Sequence, residues 1–189
     1  MENILLISIA VLTFVFIIIY NKAIKLIEAV KNNLKNIDIQ LDRRYKVFES
    51  LIEVVKKYMD YEKSTLKEVV ALRQQANESR SNGDQQARAE AENKISSIMS
   101  GINLVFEQYP DLKANQNALQ LQEEIVNTEN KLAFAKQAYN DSIETYNIYK
   151  KSLPQNLIFL IVTSLNVDFT YWQLSESDKK LKEDYNVKL

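Results

Sequence analysis

Two glycines (Gly83, Gly101) and two prolines (Pro110, Pro154) are all the backbone punctuation that 189 residues contain. Folds built from many strands need frequent turns, and glycine and proline supply most of the dihedral angles those turns require. A chain this poor in both is committed to long helices. Hydrophobic residues at 46% and charged residues at 26% are in balance for a packed core, so the helices have something to bury.

The first of them is unlike the rest. Ile4 to Tyr20 (ILLISIAVLTFVFIIIY) carries no charged residue. At 1.5 Å per residue the segment covers about 25 Å, enough to cross the hydrocarbon core of a bilayer with flanking help. Tyr20 is placed to anchor at the interface and Lys22 to snorkel. A cleaved signal peptide is the rival reading, but it calls for a basic start and a small-x-small cleavage site. Here the start is Met1-Glu2-Asn3 and bulky residues run on to Tyr20. Lys22, Lys25, Lys31, Lys35, Arg43 and Arg44 come after the apolar run, which by the positive-inside rule puts the remainder in the cytoplasm and the N-terminus outside.

Beyond it, apolar residues recur at alternating steps of three and four: Ile27, Val30, Leu34, Ile37, Leu41, Phe48, Leu51, Val55, Tyr58. That is the period of one helix face. A break is expected between Asp60 and Thr65, with Thr65 and Glu68 forming a capping box. A second helix then uses Leu66, Val69 and Val70. Asn77 to Gly83 reads as a turn, with Gly83 at positive φ and Asp84 capping the next helix. That third helix carries Ala91, Ile95, Ile98, Ile102, Val105 and Tyr109, and Pro110 stops it. The longest helix is expected from a cap at Asp111 to about Ser152, with a stripe of Leu121, Ile125, Leu132, Ala135, Tyr139, Ile143, Tyr146 and Tyr149. Pro154 ends it. Single-sided stripes are hidden only against each other, so the fold class is all-α: an N-terminal transmembrane helix followed by an antiparallel up-and-down bundle of about four long helices. The expected division is an anchor over 1–21, a bundle domain over 22–165, and a partly flexible tail over 166–189.

A formal net charge of −1 leaves no basic field for nucleic acid. The chain has no cysteine and no histidine, which removes thiol nucleophiles, thiolate metal sites, the usual general base and histidine-dependent triads. No glycine-rich phosphate loop or nucleophile elbow appears. Glu123, Glu124, Glu129 and Asp111 are scattered along one helix without the spacing of a calcium loop. No catalytic, cofactor or metal residue is therefore expected.

Two stretches resemble the LemA family of bacterial membrane proteins. They are Ile37 to Arg73 and Tyr109 to Asn147. The carrying words are the paired Arg43-Arg44, the Leu-x-x-Val-Val-Lys-x-Tyr run ending at Tyr58, Tyr109-Pro110-Asp111-Leu112-Lys113-Ala114-Asn115, and Thr128-Glu129-Asn130. With the apolar start, the likeness covers most of residues 1–154. It implies a transmembrane helix, a helical bundle and a bacterial inner-membrane location, and it implies no known reaction. After Pro154 the chain departs from the family's Gly-Phe segment, reading Asn156-Leu-Ile-Phe-Leu-Ile-Val-Thr and then Asn166-Val-Asp-Phe-Thr-Tyr-Trp.

Two local features stand out. Arg44 falls in the core register between Leu41 and Phe48, where an unpaired charge costs several kcal/mol. Glu129 is the expected partner, with Asp38 and Glu124 as alternatives. The pair reads as a structural device that sets helix register; a snorkelling arginine and an anion site are the other readings. Arg43 is expected on a solvated face, and the Tyr139, Tyr146, Tyr149 stripe in the core with its hydroxyls on polar partners. The apolar run Leu157 to Val162 is too short to span a bilayer. It packs over one end of the bundle, inserts partly at the membrane surface with Phe169, Tyr171 and Trp172, or forms a self-association patch. The function read from all this is a membrane-anchored, non-catalytic interaction or scaffold module, touching the bilayer through residues 4–20. The alternative is a self-assembling structural protein of the membrane surface. The expected partners are the lipid bilayer and another protein or a second copy, with no nucleic acid.

Overall fold

A computed structural model describes residues 1–55, 63–108 and 114–173, with side chains at 1–54, 67–99 and 114–173. Among these the chain is all-α. Helix α1 covers Glu2–Val55, α2 Lys63–Ser81, α3 Gln85–Gln108, α4 Gln116–Lys151 and α5 Gln155–Ile161, followed by a single 3-10 turn at Thr163–Leu165. No strand occurs among the described residues.

Most of the stripe on α1 is buried as its spacing requires: Ile27, Val30, Ile37, Leu41, Phe48 and Leu51 lie in the core, Ala23, Tyr45 and Ile52 join them, and Leu34 is half-buried. Each large apolar side chain so buried contributes about 1.5–3 kcal/mol. The contrast within this helix is sharp. Residues 4–18 have every side chain exposed, whereas the core stripe begins at Ile19. Among the described residues one helix is long and apolar enough to cross a membrane, and only 6% of its apolar window is buried by the rest of the chain.

Local chemistry sets the helix ends. Helix α2 already includes Lys63, so Thr65 lies within the helix and not at its cap, contrary to the capping-box expectation. It closes with paired C-terminal bonds: the Gly83 amide donates to the Arg80 carbonyl (3.2 Å) and the Asp84 amide to the Ser79 carbonyl (2.9 Å). Gly83 takes φ +75°, the left-handed position that this closure needs and that glycine tolerates. Asp84 then caps α3, its Oδ1 accepting the Ala87 amide at 2.9 Å. The α4 cap is a correction. Asn115, not Asp111, holds it, accepting the Asn117 and Ala118 amides at 3.0 and 3.1 Å. Asp111, Tyr109 and Pro110 fall outside the described residues, as do Tyr58, the last residue of the predicted α1 stripe, and Asp60, where the predicted break begins.

The described chain forms two compact units. The first joins residues 1–38 to 134–171. Here Tyr149 meets Ile19 and Asn33 meets Ala138, so numbering rises along α1 as it falls along α4 and the two run antiparallel. The second unit joins the described residues between 39 and 133 to Trp172 and Gln173. In it α2 and α3 pack as a helical hairpin, α1 bonds to α2, α3 and α4 through side chains, and Ile52, Val69, Ile95, Met99, Ala118 and Ile125 fill the interior. On α3, Met99 takes the core position following Ile95 while Ile98 is half-buried.

The Tyr139, Tyr146 and Tyr149 stripe is buried in the first unit. Past α4 lie the cis Leu153–Pro154 bond and the short α5. Within the segment expected as a tail, Val167 bonds to Tyr146, Thr170 to Tyr139, and Trp172 is buried in the second unit with the Arg88 guanidinium 5.4 Å from its ring centre. Residues 174–189 lie outside the described part.

Candidate functional site

The second unit holds a buried cluster of charged and polar side chains. Arg44 comes from α1, Glu92 and Ser96 from α3, and Glu129 from α4. Helical spacing explains why each points inward. Arg44 is three residues after Leu41 and four before Phe48; Glu92 is three before Ile95; Glu129 is four after Ile125 and three before Leu132.

Arg44 is fully buried, with 0% of its surface exposed. Its Nη2 forms an ion pair with Glu92 Oε2, itself buried. Its Nη1 donates to Ser96 Oγ at 2.8 Å and lies 3.5 Å from Glu129 Oε1. Ser96 Oγ in turn is 3.3 Å from Glu129 Oε2, so serine links the guanidinium to the second carboxylate. Tyr45, the next residue on α1, donates its hydroxyl to Glu92 Oε1 at 2.8 Å. Glu92 thus receives a hydrogen bond on each oxygen. Burial first, and the Glu92 carboxylate second, push the Tyr45 hydroxyl well above the ordinary tyrosine range; the Arg44 charge opposes this and does not win. The phenol is therefore a donor throughout the neutral range. The Arg73 guanidinium of α2 lies 4.3 Å from the centre of the Tyr45 ring, closing the cluster from the α2 side.

The geometry brings Arg44 and Glu129 into reach, but the buried counter-ion of Arg44 is Glu92, which the apolar pattern did not single out. Its signal was the step of three to Ile95 and four from Arg88, obscured by the neighbouring alanines Ala89 and Ala91. Glu124 pairs instead with Arg43, whose Nε donates to its Oε1 at 2.9 Å on the exposed side of the same helices. That hydrogen bond is the main reason the Glu124 carboxyl lies below its ordinary value.

The cluster is buried and its charges are paired with one another, with the Arg44 Nε left without a hydrogen-bond partner. Arg44 has two carboxylates and a serine hydroxyl around it, one of the carboxylates also holding Tyr45, and a guanidinium does not attack a substrate. Among the described residues no group of three or more acidic side chains is placed to hold a metal ion.

A family model described as the LemA family matches residues 33–188, most of the chain. The chain belongs to the LemA family. The matched range includes Arg44, Glu92 and Glu129, and it continues past Pro154 through the segment whose wording departs from the family pattern. A LemA protein of Metamycoplasma hominis is 27% identical over 142 residues, covering 75% of this chain and 64% of that protein. The chain therefore spans somewhat less than two thirds of that relative's length. LemA membership and the helical bundle agree.

Proposed function

We propose that this LemA-family chain is anchored in the bacterial inner membrane by residues 4–20, with its N-terminus outside and its helical units in the cytoplasm, and acts there as a non-catalytic interaction or scaffold module. The observation that carries the reading is the contrast within α1. One uninterrupted helix has an apolar first third with no protein packed on it and a remainder whose stripe is buried. Water does not leave fifteen consecutive apolar-rich residues bare at no cost, and lipid removes that cost.

The interaction role is supported by what is left on the surface. On α4, Leu119 and Val126 are exposed and, with Gln122, Glu123, Asn127 and Asn130, line an open hollow. An apolar pair with a polar rim is the composition of a modest protein-docking face. The buried charges, by contrast, are occupied with one another. In-cell cross-linking of the full-length chain, read by mass spectrometry, tests the role. Reproducible cross-links from α4 to one other protein are expected; links only between copies would favour self-assembly, and none at all would remove both. Since the chain has no cysteine, a single cysteine placed at Glu2 or at Lys46 reports orientation by its reaction with a membrane-impermeant maleimide on intact cells. Only the Glu2 site is expected to react.

A further inference from the structure

The short helix α5 has two faces of the wrong kind for a soluble surface. Ile158 and Phe159 point into the first unit, Phe159 being 3% exposed, with its ring edge-on to Tyr146 and Tyr149 at 6.1 and 6.4 Å. The opposite face is as apolar and is bare: Leu157 is 54% exposed, Leu160 75% and Ile161 77%, with Leu153 at 75% just before the helix. Leu157, Leu160 and Ile161 stand at i, i+3 and i+4, a single stripe. Phe169 and Trp172, which the sequence offered as companions of this run, are otherwise engaged: Phe169 is edge-on to Tyr146 at 5.2 Å and Trp172 is buried.

Where this stripe lies says what covers it. The Tyr149 hydroxyl donates to the Ile19 carbonyl at 3.3 Å, and Lys22 Nζ sits 5.0 Å from the centre of the Tyr149 ring. The end of α4 is thereby tied to the point where the apolar part of α1 gives way to Asn21 and Lys22. α5 hangs from that same end, separated from Lys151 by Ser152, Leu153 and Pro154. Lys150, Lys151, Asn156 and Asn166 ring an open hollow whose apolar wall is Phe159 and Leu160, so cationic and amide groups flank the bare stripe. Apolar side chains backed by lysines, held level with the end of a membrane span, are the composition of an interfacial helix on an anionic bilayer surface.

The geometry points to a second membrane contact: α5 with Leu153 lies in the headgroup and upper acyl region of the same bilayer that α1 crosses, placing Leu157, Leu160 and Ile161 in lipid and Lys150 and Lys151 among phosphates. The inference rests on the anchor reading of residues 4–20. Its consequence is that the first unit is held at two points and cannot swivel freely about its tether.

Spin-label depth measurement on the full-length chain tests it, and the lack of native cysteine makes every site single. Leu160→Cys, Ile161→Cys, Leu12→Cys and Gln137→Cys proteins are labelled in nanodiscs of phosphatidylcholine with a minority of phosphatidylglycerol. Collision with oxygen, which concentrates in lipid, is compared with collision with a water-soluble nickel chelate. Labels at 160 and 161 are expected to favour oxygen severalfold over the label at 137, though less than the label at 12. A water-like ratio at 160 and 161 with a lipid-like ratio at 12 overturns the second contact and leaves the anchor. Low collision with both reagents at 160 and 161 means that protein covers the stripe, which also overturns it. A water-like ratio at 12 removes the anchor and the inference with it.

Discussion

Helix α4 anchors polar groups in two different ways along its length. In the second unit its first half delivers Glu129 to a cluster in which buried charge is neutralised by charge: Arg44 against Glu92 and Glu129. In the first unit its second half delivers three tyrosines that hold backbone. Tyr146 donates to the Leu165 carbonyl at 2.7 Å and accepts the Val167 amide at 2.9 Å; Tyr139 donates to the Thr170 carbonyl at 3.0 Å; Tyr149 donates to the Ile19 carbonyl. The charge cluster ties helix to helix, where backbone groups bond mainly within their own helix and side chains discriminate registers, the Arg44 guanidinium also reaching the Glu92 carbonyl at 3.4 Å. The tyrosines mostly tie a helix to irregular chain, whose carbonyls and amides lack helical partners and must be satisfied from outside. Ion pairing suits the first problem and neutral hydroxyls suit the second.

The largest effect that would test this contrast is at Glu92. Glu92→Ala leaves Arg44 buried with only the more distant Glu129, and urea unfolding of the detergent-solubilised chain is expected to show a loss of about 3–5 kcal/mol. Replacing both partners, Arg44→Met with Glu92→Leu, is expected to recover most of it. If the double variant is as unstable as the single one, the cluster is not a charge-compensation device.

Tyr146→Phe is next. It removes a hydroxyl that makes two backbone bonds, and a loss of about 1–3 kcal/mol is expected. Amide exchange at Val167 should rise while exchange in α3 stays unchanged; an effect spread equally over both units would break the comparison.

The alkaline limb of stability sharpens it further. Burial raises the Tyr45 hydroxyl most strongly and raises Tyr146 and Tyr149 in the same direction. Below pH of about 10 these phenols are protonated in folded and unfolded chain alike, and their contribution is whole. As pH climbs past about 10 the unfolded chain sheds protons that the native one keeps, so stability falls. Tyr45→Phe is expected to flatten that fall more than Tyr146→Phe, in denaturant midpoints measured from about pH 8 to 11.

The smallest effect is expected at the exposed pair. Arg43→Ala or Glu124→Ala should change stability by less than about 1 kcal/mol, and the change should shrink further in high salt. Parity with Glu92→Ala would mean that burial is not what separates the two arginines.

How much of this was legible in advance differs by element. The α1 stripe from Ile27 to Leu51 and the α4 stripe from Ile125 to Tyr149 were readable because a helix face repeats within the chain itself. The turn at Gly83 and the cap at Asp84 were readable because they are made by residues a few positions apart. The cap at Asn115 was missed because Asp111 is an equally good capping residue beside Pro110, and only the position of the first α4 turn chooses between them. Glu92 was missed because a glutamate among alanines looks like a solvated helix face until another helix is laid against it.

The residues alone decided that this chain forms helices, that its start is an apolar run bare of charge, and that Arg44 sits where a charge needs a partner. Those are properties of one helix at a time, set by local spacing. Which carboxylate answers Arg44, which carbonyls the tyrosines hold, and which half of the 157–162 run stays uncovered were decided only by tertiary structure. Each depends on the rotation and axial stagger of one helix against another, and packing between distant segments sets those quantities.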